Sequence, residues 1–390
     1  MTASGAKPIR RVVTGNDERG RSKVVIDGPA PNSHKNLGIS RYFTDLWVWN
    51  ESPAPLSGED DAGNFKYGFP GPDDGGHLRI VEWPGRPPDY DPSKDDEIVP
   101  VHPPKIRQPG RTWDKGGNSA YASAIHKTET IDYGIVVAGE RILILEDREL
   151  VMKPGDTVIQ VAAYHQWKWT NPDLDGLMVF DMFAARFDNI VKPLPKPLPL
   201  LDRKLMEGVK PARRIVLLDE KDGDDGAGKS NLVVDGPSPD VRFDPARPGF
   251  ASTRLWVTDA TPATLTTETL HLPHTIEPPA NGSVCRMISI PPDDTWRGKV
   301  GSKEVAAWFA AMGSPQASTY SSDAPHPYMQ KTKSLDFIVV LEGEVVLVLD
   351  TQEVTLKAGE IAIIRGSNHA FANRTQHPAQ IAHMSHDGAW

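Results

Sequence analysis

The sequence predicts an all-β protein made of two similar halves, each a sandwich or barrel of short strands. Apolar residues recur at a period of two, as at Ile142 and Ile144, which is the pattern of a strand. The 390 residues include 36 prolines and 33 glycines. Proline disrupts helix interiors, and both residue types favour turns. The second half of the chain also repeats the first.

The repeat is clearest late in each half. Residues 125–165 align with residues 329–369 without a gap. Shorter segments match in the same order, for example 10–13 with 213–216. We infer an internal duplication.

A proline-rich segment separates the two copies. Its core, residues 192–199, reads KPLPKPLP, a composition typical of a stiff, extended connector. We therefore expect an N-terminal unit over residues 1–190, a connector over 191–209 and a C-terminal unit over 210–390.

Turn signals divide each copy into short strands. Gly139 and Gly343 mark the same turn in the two copies, and Gly155 and Gly359 mark the next. One helix is predicted in the second half and is expected to pack against the outside of that unit. Its apolar residues fall at helical spacing, at Val305, Trp308, Phe309 and Met312.

Composition excludes several classes of protein. The chain has 43 basic and 52 acidic residues and a net charge of −9, so a nucleic-acid partner is not expected. The single cysteine, Cys285, excludes an internal disulfide and a cysteine-based zinc site. No apolar run approaches the ~20 residues of a membrane helix, and the first residues lack the apolar core of a signal peptide. We therefore predict a cytoplasmic protein without a membrane partner.

Two histidines and an aspartate form a candidate metal site. His126, Asp132 and His165 fall in the best-matched segment. In a straight strand His126 and Asp132 would lie roughly 20 Å apart, at about 3.3 Å per residue. A metal needs its ligand atoms at about 2.0–2.2 Å, so one ion can bind both residues only if the chain bends between them.

The run His126, Thr128, Thr130, Asp132 and Tyr133 resembles the first cupin motif, in which a ligand pair closes one strand and an acidic ligand opens the next. That arrangement implies the bend. Gly155 through His165 is similar to the second cupin motif. The chain resembles a bicupin built from two HxTxTxDY-type copies. The resemblance implies two tandem antiparallel cupin β-barrels of the jelly-roll type, related by internal duplication.

The sequence departs from the usual cupin ligand set of three histidines and a glutamate. Thr128 stands where a second histidine is expected, and Asp132 stands for the glutamate. The remaining two imidazoles and one carboxylate suit non-haem Fe(II) first, with Mn, Zn or Ni as alternatives. In the alternative interpretation, Asp132 caps a turn and the two histidines are polar lining.

The second copy lacks part of this set. Gln330 stands opposite His126, and an amide is a poorer ligand for a transition metal. Asp336 and His369 match the other two ligands. We interpret the C-terminal unit as structural, although His326 lies close enough in sequence to enter the same cavity.

Several residues near the predicted metal site are candidates for substrate binding. Trp167 and Trp169 share strand parity with His165 and would form an aromatic wall, although core packing explains them equally well. Thr128 and Arg79 complete the set. Arg79 would bind a carboxylate, but Arg286 matches it in the second copy, which favours a structural role.

Three functions remain open. The first is an Fe(II) dioxygenase acting on an aromatic or enolic small molecule, an activity that the resemblance implies for some bicupins. The second is a redox-neutral lyase, isomerase, cyclase or hydrolase, in which the metal is a Lewis acid and Tyr164 or His326 moves a proton. The third is a non-catalytic binding or storage protein. Each has a small-molecule partner, and a homodimer is left open.

Overall fold

A computed structural model describes residues 6–35, 42–58, 60–65, 69–83, 98–107, 111–119, 122–168, 175–190, 209–220 and 226–390. Trp169 and most of the predicted connector lie outside the described residues.

Strands dominate both halves, which confirms the all-β class. In the first half they are β1 (Arg10–Asn16), β2 (Ser22–Pro29), β3 (Asn32–Lys35), β4 (Tyr42–Trp49), β5 (Ala54–Pro55), β6 (Gly76–Trp83), β7 (Lys105–Arg107), β8 (Thr112–Asp114), β9 (His126–Thr128), β10 (Thr130–Ala138), β11 (Arg141–Ile144), β12 (Glu149–Met152), β13 (Thr157–Val161), β14 (Gln166–Lys168) and β15 (Gly176–Ile190). In the second half they are β16 (Arg213–Asp219), β17 (Ser230–Pro237), β18 (Asp240–Phe243), β19 (Ala251–Thr258), β20 (Ala263–Leu265), β21 (Ser283–Ile290), β22 (Ser334–Glu342), β23 (Glu344–Leu349), β24 (Glu353–Lys357), β25 (Ile361–Arg365), β26 (His369–Ala372) and β27 (Ala379–Ala389).

Two nine-stranded sheets form the centre of the molecule. Their orders are β18-β19-β21-β27-β22-β25-β1-β2, with β5 beside β27, and β17-β16-β13-β10-β15-β6-β4-β3, with β20 beside β15. Read in opposite directions, the two orders match strand for strand. Smaller sheets, β12-β11-β14 and β24-β23-β26, have three strands each, and β7-β8-β9 forms another three-stranded sheet.

The two halves exchange their first hairpins. The hairpin β1-β2 comes from the first half, but β1 pairs in parallel with β25, with Arg11 opposite Ile361. In the same way β16 pairs in parallel with β13, with Arg214 opposite Thr157. The other neighbours in the long orders pair antiparallel. The predicted units 1–190 and 210–390 stay a prediction, and strand pairing crosses their boundary in both directions.

Three large apolar clusters and one small one fill the interior. One joins the two large sheets and contains Ile131 and Tyr133 from β10 with Leu335 and Phe337 from β22. A second lies inside the first half, and a third lies inside the second half. The exchanged hairpins contribute to the opposite interiors, since Val12 belongs to the C-terminal cluster and Ile215 to the N-terminal one.

The predicted helix is confirmed as α1 (Ser302–Ala311). The Gly301 amide donates to Glu304 Oε2 at 3.0 Å, which caps its first turn. Trp308 and Phe309 belong to the cluster inside the second half. The helix therefore faces the interior of this half and does not pack against its outside, because its apolar side completes the inner core.

Candidate functional site

The predicted pair His126 and His165 is brought together. The two residues bridge through their backbones, and their ring centroids lie 4.5 Å apart. Nδ1 of His126 lies 2.7 Å from the Ala124 carbonyl oxygen, and Nδ1 of His165 lies 3.0 Å from that of Ala163. Each Nδ1 therefore carries a proton, and the lone pair lies on Nε2. Burial, and then the neighbouring His126, hold the pKa of His165 well below its ordinary value.

Asp132 does not join this pair in a ligand set. It is 3% exposed, and burial raises its pKa to about 7. Its carboxylate accepts a hydrogen bond from Thr130 and lies within electrostatic range of Asp181. In the described part of the chain, no group of three or more His, Cys, Asp or Glu side chains is placed to hold a metal ion. The three-residue metal site stays a prediction.

Of the predicted substrate-binding residues, Trp167 contacts the histidine pair, with its ring centroid 5.9 Å from that of His165. The described residues of this set also have partners elsewhere in the first half. Thr128 Oγ1 lies 2.6 Å from the Thr130 hydroxyl. Trp167 is buried and packs edge-on against Phe180 at 5.7 Å. Arg79 Nε donates to Asp45 Oδ1 at 2.6 Å. Trp169 is outside the described residues.

The two residues predicted to transfer protons form hydrogen bonds within the protein. The Tyr164 hydroxyl donates to the Gly226 carbonyl at 2.7 Å. His326 is fully buried, and its Nδ1 accepts the Tyr328 amide at 3.2 Å. Neither residue lines the cavity that the second half contains.

A cavity of about 60 Å³ lies inside the second half. One water needs at least about 10–15 Å³ of such space, so the cavity has room for a small molecule. The wall combines apolar side chains from β21 and α1 with a few polar ones. It consists of Arg247, Phe250, Ser252, Ile276, Arg286, Ile288, Ile290, Trp308, Phe309, Met312, Tyr328, Gln330, Ala370, Phe371 and His383.

One imidazole in this wall is bonded to a buried carboxylate. His383 Nε2 lies 3.3 Å from Asp336 Oδ1 and 3.0 Å from the Ser385 hydroxyl. The pairing of β22 with β27 determines this contact. It places Asp336 directly opposite Ser385 and diagonally opposite His383, which lies on the same face of the sheet. The Ser334 hydroxyl donates to the other oxygen of Asp336 at 2.9 Å.

A second imidazole lies beside this network. His369 Nδ1 is 2.8 Å from the Ser367 carbonyl oxygen, and its Nε2 is 3.2 Å from Gln330 Nε2. Gln330 can therefore donate to Nε2 of His369 when this imidazole is in its neutral form. Burial, the largest effect, lowers the pKa of His369, although Asp336 acts in the opposite direction.

The charge of Asp336 is stabilised locally. Burial alone would raise its pKa, but the hydrogen bond and charge of His383, together with His369 and Ser385, lower it below the ordinary value. Asp336 is therefore an ionised carboxylate that orients His383.

The sequence predicts a structural role for this half and does not place His383 in a site. His383 lies opposite Ile338, and the residue at the matching place in the first half is Phe180, opposite Gly134. A signal was available, because Asp336 and His369 keep two of the predicted ligand positions. The third polar residue, His383, lies on the last strand, β27, outside the best-matched segment.

Residues 322–385 match the cupin domain family. The chain is 25% identical over 183 residues to "Cupin-domain-containing oxidoreductase fogC" of Aspergillus ruber, an alignment covering 45% of this chain and 73% of that protein. It is 50% identical over 114 residues to "Phomopsin biosynthesis cluster protein C'" of Diaporthe leptostromiformis, covering 27% of this chain and only 52% of that protein. Among solved structures, AerE from Microcystis aeruginosa is similar at a TM-score of 0.39 and 9% identity, covering 92% of this chain and 97% of that one.

The strand order and the family match together define an all-β cupin fold, with a cupin domain over residues 322–385. The match falls on the half that contains the cavity, Asp336 and His383. No helix among the described residues has the length and apolarity needed to cross a bilayer.

A cupin domain generally implies a divalent metal. The donor groups of the second half do not fit an ion in their present arrangement, because Gln330 lies against Nε2 of His369 and Asp336 against Nε2 of His383. Among the described residues of the first half, no group of three such ligands is placed to hold an ion. No step through a metal follows from either arrangement.

Proposed function

We propose that the chain is a cupin-type enzyme whose active site is the cavity of the second half. There His383 acts as a general base and acid on a small enolisable molecule. One observation carries this proposal. The cavity wall holds an imidazole that is bonded to a buried, ionised carboxylate. A carboxylate in this position fixes the tautomer of an imidazole and stabilises its protonated form.

The chemistry follows from the tautomer. When His383 donates its Nε2 proton to Asp336, the lone pair of the neutral ring lies on Nδ1. Nδ1 accepts a proton from a carbon next to a carbonyl group of the bound molecule. The electrons of the broken C–H bond then move into that carbonyl to give an enolate. Return of the proton to a different atom gives isomerisation. If the proton on the imidazole is first replaced by one from solvent, its delivery to the same carbon gives hydrogen exchange.

Apolar side chains around the cavity support this chemistry. Phe309 and Met312, at the end of α1, lie in the same wall as His383. Electrostatic interactions are stronger where apolar groups displace water, so the Asp336–His383 interaction is more effective here than in solution.

Hydrogen exchange into pyruvate tests the proposal, because pyruvate is enolisable and has about the size of the cavity. We expect the protein to speed deuterium incorporation at the methyl group, measured by NMR in D2O. His383→Gln and Asp336→Asn should each slow it about 10²–10⁴-fold, the usual contribution of general acid–base catalysis. His377→Gln, at an exposed histidine of the same half, is the matched control. Exchange no faster than in buffer, or exchange unaffected by His383→Gln, would contradict the proposal.

A metal-dependent dioxygenase acting on an aromatic or enolic molecule is the second candidate, and the Aspergillus relative, which is named an oxidoreductase, favours it. This candidate uses the predicted residues His126 and His165. Oxygen uptake that requires added Fe(II), and that is lost in His165→Gln but kept in His383→Gln, would favour it over the first proposal.

A further inference from the structure

A buried arginine in the cavity wall has no carboxylate partner among the residues that the structure describes. Arg286 is 1% exposed, and its Nη2 donates to the Thr275 carbonyl oxygen. Its Nε and Nη1 have no hydrogen-bond acceptor among the described residues. No carboxylate oxygen of those residues lies within 4.0 Å of its guanidinium. Native proteins rarely leave buried donors without a partner.

Comparison with the first half shows which residue would neutralise Arg286. Arg79 occupies the matching position, and the residue opposite it on the neighbouring strand is Asp45, which neutralises it at 2.6 Å. The residue opposite Arg286 is Arg254, a second cation. Arg254 is itself paired with Asp240 at 2.7 Å. The exchange of an aspartate for an arginine therefore leaves Arg286 without its counterion.

A second buried arginine lies in the same wall. Arg247 is 4% exposed and donates through Nε to Asp244 at 2.6 Å. Its guanidinium carbon lies 3.4 Å from the centre of the Tyr328 ring. Its Nη2 has no acceptor among the described residues. Two guanidinium groups that line one cavity therefore have N–H donors without an acceptor among the described residues.

The electrostatics of Arg286 agree with this geometry. Burial, followed by the nearby charge of Arg254, lowers its pKa to about 10, and the more distant Asp336 and Asp240 only partly offset these effects. A buried charge without a close partner is unfavourable. An anion bound in the cavity would remove that cost.

We infer that the cavity of the second half binds a small carboxylate, whose oxygens accept hydrogen bonds from Arg286 and Arg247. The inference rests on the proposed function, because both use the same cavity. Guanidinium groups match the planar geometry of a carboxylate. The small volume of the cavity, about 60 Å³, restricts the acid to a short carbon chain. Ile276, Ile288 and Ile290 would pack against its short carbon chain.

Butanoate and butanamide test the inference on the full-length protein, because they have the same size and differ in charge. We expect butanoate to bind at least tenfold more tightly than butanamide in calorimetry or ligand-detected NMR. Arg286→Met should remove this preference, and Arg286→Lys should keep part of it. Arg297→Met removes an exposed arginine of the same half and serves as the matched control, with the preference unchanged.

Equal affinity for the acid and the amide in the unmodified protein would overturn the inference, and this comparison needs no variant to fold. A preference that survives Arg286→Met would also overturn it. Inorganic phosphate that competes as well as butanoate would show a general anion site and overturn the assignment to a carboxylate. Failure of the proposed function alone would give a different result. Butanoate would still bind through Arg286, but His383→Gln would leave the hydrogen exchange of pyruvate unchanged.

Discussion

Asp132 and Asp336 occupy matching positions in the two halves, but their surroundings differ. Burial raises the pKa of Asp132 to about 7. Burial is the largest effect on Asp336 as well, but the hydrogen bond and charge of His383, together with His369 and Ser385, lower its pKa below the ordinary value. Two positions on a distant strand contribute to this difference: Phe180 and Met182 in the first half are matched by His383 and Ser385 in the second. Local sequence around each aspartate does not contain this information.

The lowered pKa of His326 predicts that the stability of the folded protein depends on pH. Burial, with the charges of Arg247, Arg297 and Arg374, lowers its pKa to about 3 in the folded protein. An unfolded histidine has a pKa near 6.5. Between pH 6.5 and 3 the unfolded state therefore binds the extra proton, so the stabilisation present above pH 6.5 is lost as the pH falls, by up to about 1.4 kcal/mol per pH unit.

His326→Asn tests this prediction, because the amide oxygen of asparagine can still accept the Tyr328 amide while the side chain no longer titrates. We expect the free energy of unfolding, measured in urea at several pH values, to fall less steeply with acidification than in the unmodified protein. His377→Asn, at an exposed histidine, is the control. Equal slopes for the His326 variant and the unmodified protein would contradict the assignment.

The exchanged hairpins, β1-β2 and β16-β17, connect the two halves of the molecule. Arg10 on β1 forms an ion pair with Glu360 at 2.8 Å, and Arg213 on β16 forms the matching pair with Asp156 at 2.8 Å. Val12 follows on β1 and is fully buried inside the opposite half. Each hairpin therefore stabilises the half to which it does not belong in sequence.

Val12→Ala and Ile215→Ala form a matched pair that tests the exchange. Val12→Ala should increase amide hydrogen exchange in β22 and β25 of the second half, because it opens a gap in that core. Ile215→Ala should increase exchange in β10 and β13 of the first half, with a loss of stability of about 2–5 kcal/mol. Faster exchange confined to the half that carries each substitution in sequence would contradict the exchanged arrangement.

The sequence predicts individual elements better than their partners. Helical spacing correctly predicts α1, and the period of two with its turn signals predicts the strands. The parallel pairing of β1 with β25 joins residues about 350 positions apart, and the similar hairpin sequences at 10–13 and 213–216 do not distinguish the two sheets. Only the complete fold determines which hairpin closes which sheet.

For the whole molecule, two halves with the same strand order differ in the polar groups of their interiors. The first half has the histidine pair and a neutralised Arg79, and the second half has Asp336, His383 and an unpaired Arg286. Matching Leu46-Trp47 with Leu255-Trp256 already places Asp45 opposite Arg254 in the alignment. The consequence for Arg286 needed the strand register, because the alignment alone does not show which residues face each other.

The location of a bound acid tests the central claim most directly, namely that the functional cavity lies in the second half. The measurement is a crystal structure of the full-length protein with butanoate. The account predicts electron density for the acid in the cavity of the second half, with its carboxylate at Arg286 and its carbon chain near His383. Density for the acid beside His126 and His165, with the cavity of the second half empty of butanoate, would contradict it.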